Sequence, residues 1–210
     1  MSALSYDTCW ERLAGSRRRQ LGMSETAGIA ADHPLRKLFA ALVQRTLYVR
    51  FGRPGPELAA YLADLLTRFV HVDNIHRIRD ARGRRLTEVA EMLAEVYSQP
   101  GGSARLRERE IHRHIGDFTL FWTGVYPEAL RFLQHETRRD HLVDYVEQGR
   151  RSYRIAGSFD RPRELAAEAR TLRQLSAEFE LCMFALNLVR QDWERLGDPR
   201  SEFARRTLVH

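Results

Sequence analysis

Lysine is all but missing from this chain: of its 34 basic residues only Lys37 is lysine, and the others are arginine. Together with abundant alanine, that bias is the mark of a GC-rich genome. It weakens the usual inference from a net charge of +6 and a pI near 9.8 to a nucleic-acid or anionic-membrane partner. Cysteine is nearly as scarce. Cys9 and Cys182 stand far apart with no second cysteine beside either, which excludes a zinc knuckle or a redox pair and predicts a reducing compartment. No run approaches the roughly 18 to 20 uncharged apolar residues of a membrane span. The opening MSALSYDTCWERL carries Asp7 and Glu11 and lacks a basic start and an apolar run, so no secretory signal is expected and a cytoplasmic location follows. Also missing are a phosphate-cradling glycine loop, a nucleophile–base signature and the two-residue alternation of half-buried strands.

At 210 residues, 43% hydrophobic and 30% charged, the chain suits one globular domain with a substantial core. Residues 1–33 hold the run Arg17 to Arg19 and only a short periodic piece around Trp10 and Leu13, which reads as a loosely docked arm. Asp32 or His33 before Pro34 marks a helix start, because proline in the first turn lacks an N–H that would be unpaired there anyway. Phe51-Gly-Arg-Pro-Gly-Pro56 breaks that helix, and Pro56 opens a second, read as continuing to Ile78.

After the polar turn RDARGRR, the residues Leu86, Val89, Leu93 and Val96 mark a third amphipathic face. Ser103 is a candidate cap for the fourth helix, which reaches Tyr126 before Pro127. Short helices follow over EALRFLQHET and from Asp140 to Gly157. Residues 163–196 then form the longest periodic stretch, about 50 Å if straight, so a bend or an overhanging end is expected. The reading is all-α: a single-domain bundle of about seven helices over 34–197 with a long C-terminal helix, and a tail over 198–210.

Residues 108 to 128, EREIHRHIGDFTLFWTGVYPE, run ionisable side chains directly into the most aromatic stretch of the chain. At 100° per residue, Glu110, His114 and Asp117 share one stripe, continued by Phe121 and Gly124, while Glu108 and His112 share another. Two readings of the first stripe are open. In one, His114 and Asp117 are a satisfied polar pair in the core that holds helix register, with Glu108, Glu110 and His112 left in water. In the other, Glu110, His114 and Asp117 hold a divalent metal with Asp73 and His76, or with Asp140, His141 and Asp144, or Glu178 and Glu180. The second set superficially resembles the bundle-type di-iron carboxylate proteins, but their paired Glu-x-x-His signature is absent and none of their residues is carried over.

Gly116 and Gly124 each weaken the helix by roughly 1 kcal/mol relative to alanine, which predicts a close helix crossing or room for a flat ligand against Phe118, Phe121 and Trp122. Arg77, Arg79, Arg82, Arg84 and Arg85 are candidate anion ligands around Gly83, with Arg138, Arg139, Arg150, Arg151 and Arg154 a second collection. Interspersed acids favour an ion-paired surface in both places. The functional expectation is a cytoplasmic binding or adaptor protein that engages a protein partner, with the long last helix a candidate seam for a second copy of the chain. The alternative is a metal-dependent or ligand-binding enzyme using Glu110, His114 and Asp117. Nucleic acid is the least favoured partner, because no aromatic interleaving accompanies the arginines.

Overall fold

The computed structural model describes residues 34–52, 55–70, 72–98, 104–161 and 163–196. The arm 1–33, the tail 198–210, Cys9 and the cap at Ser103 lie outside the described residues. Seven helices of ten residues or more carry the described fold: α1 (Pro34–Phe51), α2 (Pro56–Phe69), α3 (Val89–Ser98), α4 (Ala104–Gly124), α5 (Tyr145–Ala156), α6 (Ala166–Ala177) and α7 (Phe179–Leu196). Among the described residues there is no strand, only an isolated bridge between Arg79 and Arg85 across the turn at Gly83, whose φ of 80° a side chain would resist. The all-α bundle is the fold that the apolar periodicity predicts.

The central element is α4. Its first half is charged on two sides, and from Ile115 to Tyr126 every residue is buried. A helix apolar all round belongs inside a bundle, and α2, α3, α5 and α7 pack around this one. The tightest crossing is between α4 and α5, where glycines on both helices remove the bulk between them. A Cβ on Gly116 would lie 2.6 Å from the Tyr153 ring, and one on Gly149 would lie 2.4 Å from Thr119 Oγ1 and 2.6 Å from the Phe179 ring. Gly124 faces Met183 and Leu186 of α7 in the same way, at 3.0 Å. The glycines therefore serve close crossings, and the space beside Gly116 is filled by Tyr153 rather than left for a flat ligand.

The structure corrects three boundaries. The second helix stops at Phe69, and Asp73 and His76 sit on and just beyond a separate turn, Val72–Ile75. EALRFLQHET shrinks to two short turns, Pro127–Ala129 and Leu130–Leu133. The long C-terminal stretch bends at Glu178, which leaves helical geometry at φ −111° and ψ 29°. Beyond the bend the neighbours change: α6 packs on α5 and α2, whereas α7 packs on α4 and α1. Phe179, at the break, is fully buried and stacks at a tilt on Tyr153 with 6.1 Å between centroids.

Caps close two of the helices. Asp144 accepts the Val146 and Glu147 amides at the start of α5. At α3 the cap comes from far along the chain: the buried Asp140 accepts the Val89 and Ala90 amides at 2.9 and 2.8 Å and the Tyr145 hydroxyl at 2.6 Å. No local pattern announces that pairing. Replacing Gly149 by alanine forces Thr119 and Phe179 apart and is expected to lower unfolding stability by about 1–3 kcal/mol, read by urea denaturation. A Gly149→Ala variant as stable as wild type would refute the close crossing.

Candidate functional site

Asp117 is fully buried, and its carboxylate is held from three sides. Oδ1 accepts the Tyr61 hydroxyl at 2.7 Å and the Tyr153 hydroxyl at 2.9 Å; Oδ2 accepts Arg68 Nη1 at 3.1 Å. Each donor comes from a helix packed on α4: Tyr61 and Arg68 from one face of α2, about two turns apart, Tyr153 from α5 opposite Gly116. Burial alone would push the Asp117 pKa up. The guanidinium groups of Arg68 and Arg113 and the phenol hydrogen bonds outweigh it and leave the carboxyl below its ordinary value of 3.8. The same burial, reinforced by the carboxylate, raises both tyrosines well above 10 and keeps them as donors.

His114 is also fully buried, but its partners are different. Arg77 Nε donates to Nδ1 at 3.1 Å, so the ring proton resides on Nε2, which donates to the Ile75 carbonyl at 3.0 Å. Arginine does not lose its proton, so this pair of bonds fixes the neutral tautomer. Burial first, and the Arg77 charge second, push the pKa down to about 3, overriding the attraction of Asp117. His114 and Asp117 are both satisfied in the core, each by its own set of donors and acceptors rather than by one another.

His112 is 4% exposed, not solvated as its sequence context suggests. α5 covers that face and places Ser152 Oγ 3.4 Å from His112 Nδ1, while Gln148 Nε2 donates to the same hydroxyl at 2.9 Å. Burial, aided by the Arg151 charge, lowers His112 to about 4. Ser152 is completely buried, so this serine–histidine contact has no route to a substrate.

The proposed metal donors are not brought together: among the described residues no three His, Cys, Asp or Glu side chains gather as a metal set. Glu110 is 46% exposed and pairs with Arg107 at 3.2 Å and Arg77 at 3.9 Å. Asp73 pairs with Arg85 at the surface, and His76 packs its ring against Phe118. Asp140 and Asp144 are occupied as caps, His141 Nδ1 lies 2.8 Å from the Arg138 carbonyl, Glu178 marks the bend and Glu180 pairs with Arg150. Cys182 is a buried thiol pushed up to about 12, which makes it unreactive.

The five turn arginines also separate. Arg77 belongs to the core site, Arg79 donates to the Gly83 carbonyl, Arg84 bridges Asp80 and Glu91, Arg85 takes Asp73, and the Arg82 amide donates to Asp80. Sequence reasoning missed Tyr61, Arg68 and Tyr153, the three residues that hold Asp117. Only the burial of an unpaired aspartate on a helix otherwise apolar on that face could have asked for them.

Asp117→Asn, which removes the charge beside Arg68, is expected to cost about 3–5 kcal/mol, and Tyr153→Phe about 1–2 kcal/mol, both by denaturant unfolding; values near zero for both would remove the anchor. The histidines set the pH response. Below about pH 6.5 the unfolded chain takes up protons that His112 and His114 refuse in the fold until about 4 and 3. Stability is therefore complete above pH 6.5 and falls as pH drops towards 4, by on the order of 1.4 kcal/mol per unit for each histidine. Asp117 adds its own loss only at more acidic pH, as it protonates. Unfolding midpoints flat between pH 7 and 4.5 would contradict the buried neutral imidazoles. No protein-family model matches the chain, and no curated protein or solved structure matches it, so the functional reading rests on the chemistry of its own side chains.

Proposed function

We propose that this chain is a cytoplasmic, non-catalytic helical binding protein that engages a protein partner through its surface. The observation that carries the reading is the saturation of the ionisable core. Asp117 holds three donors and His114 has both ring nitrogens engaged, so the groups with the chemistry to act on a substrate are committed to the fold. A general base needs an accessible lone pair within reach of a substrate proton, and neither residue offers one.

Support for a surface role comes from exposed aromatic side chains on α1 and α7. Tyr48 is 65% and Phe184 57% exposed, and Phe51, one turn along α1 from Tyr48, meets Phe184 edge-to-face with 6.3 Å between centroids. Exposed aromatics that cluster across two elements are the composition of interface anchors. Among the described residues no helix is long and apolar enough to cross a membrane.

The test is affinity capture with wild type and with Tyr48→Ser/Phe184→Ser, combined with light scattering and elemental analysis of untagged protein. A stoichiometric partner, or a second copy, that is lost in the double variant at unchanged melting temperature is the expected result. Stoichiometric iron, manganese or zinc that disappears in His114→Ala would overturn the reading in favour of the metal enzyme.

A further inference from the structure

The outward faces of α1 and α7 lie side by side, one charged and one apolar. At 100° per residue, Lys37, Gln44, Arg45 and Tyr48 fall on one side of α1, and all four are exposed. On α7, Leu181, Phe184 and Leu188 stand three and four residues apart, with Phe184 exposed and both leucines half-buried. The two helices run antiparallel: Phe51 meets Phe184 at 6.3 Å between centroids, and Phe39, towards the other end of α1, meets Trp193 at 5.3 Å. Phe184 and Trp193 are half a turn out of phase, so Trp193 packs on the core while Phe184 points away from it.

The charge on this face has one sign. α1 contains no acidic residue, and its one ion pair among the described residues joins Arg36 to Asp64 of α2. Lys37 and Arg45 therefore stand without a counter-charge there. Glu180, one turn before Phe184, is already held by Arg150 at 3.1 Å. Nor does the rest of the chain offer an acidic segment to cover the face: residues 1–33 hold four carboxylates against four arginines, and residues 198–210 two against three. A second copy would bring the same positive stripe.

We propose that the α1–α7 face docks an acidic amphipathic helix of a partner protein. Apolar side chains recurring every three or four residues on that helix meet Tyr48, Phe184 and Leu188, and carboxylates along one edge meet Lys37 and Arg45. Lys37 and Arg45 are eight residues apart, about 12 Å along α1, so the carboxylates are spaced by about two turns. The aliphatic leucines suit helical side chains better than the flat bases of an anionic nucleic acid. The inference rests on the partner reading above and adds the chemistry of the partner.

Two synthetic amphipathic peptides with the same leucine spacing serve as probes, one with glutamates along one edge and the other with lysines in their place. Wild type is expected to bind the glutamate peptide about tenfold or more tightly than the lysine peptide, read by fluorescence anisotropy. Lys37→Glu/Arg45→Glu is expected to reverse that preference at unchanged melting temperature, and Phe184→Ser to weaken both peptides. Carbodiimide, which joins a carboxylate to an amine, adds a positional readout because Lys37 is the only lysine of the chain. The expected product is an amide between Lys37 and a peptide glutamate. Equal affinity for the two peptides, binding of neither, a preference untouched by the charge reversal, or coupling of Lys37 to Asp7 or Glu11 of its own chain in place of the peptide would overturn the proposal. An oligothymidylate that displaces the glutamate peptide at equal affinity would overturn it too. Partner capture that still depends on Tyr48 and Phe184 would then leave the surface reading standing alone.

Discussion

A single carboxylate inside the bundle organises its surroundings. Asp117 lies in the second half of α4, where every residue from Ile115 onward is buried and an uncompensated charge would be prohibitive. Its neutralisation requires α2 to present Tyr61 and Arg68 on one face and α5 to bring Tyr153 within 2.9 Å. Tyr153 reaches that position only because residue 116 is glycine, and α5 approaches only because residue 149 is glycine as well. A polar requirement on α4 thus dictates the packing of two neighbours and the composition of both crossing points.

The same logic extends along the chain. His114 anchors the segment after α2 by donating to the Ile75 carbonyl and accepting from Arg77, and Asp140 anchors the start of α3 by accepting two of its amides. These two groups each tie an irregular segment to a helix. Such groups add little net stability compared with apolar replacements, but they penalise alternative registers, because a helix slipped by one residue strands a charge.

Fold class was legible because apolar residues recur at three and four positions and because Pro34, Pro56 and Pro127 punctuate the chain at helix boundaries. The importance of His114 and Asp117 was legible from their stripe, which runs into Phe121 and Gly124. Their partners were not, since Tyr61, Arg68, Arg77 and Tyr153 come from three other segments and carry no local mark that distinguishes them from other tyrosines and arginines. The burial of His112 was missed because covering it depends on how α5 docks. The bend at Glu178 was foreseen only as a consequence of length. Its place follows from α6 and α7 serving different neighbours, which periodicity alone does not encode.

The central claim is that Asp117 is an ionised carboxylate held by Arg68 and two phenols. A carbon-13 titration of its side-chain carboxyl in the folded protein reads that state directly. The expected result is a resonance that stays in the ionised position through pH 5 and titrates only below the ordinary aspartate value of 3.8, if the fold survives that far. A carboxyl that is protonated near neutral pH, or that titrates above that value, would contradict the account.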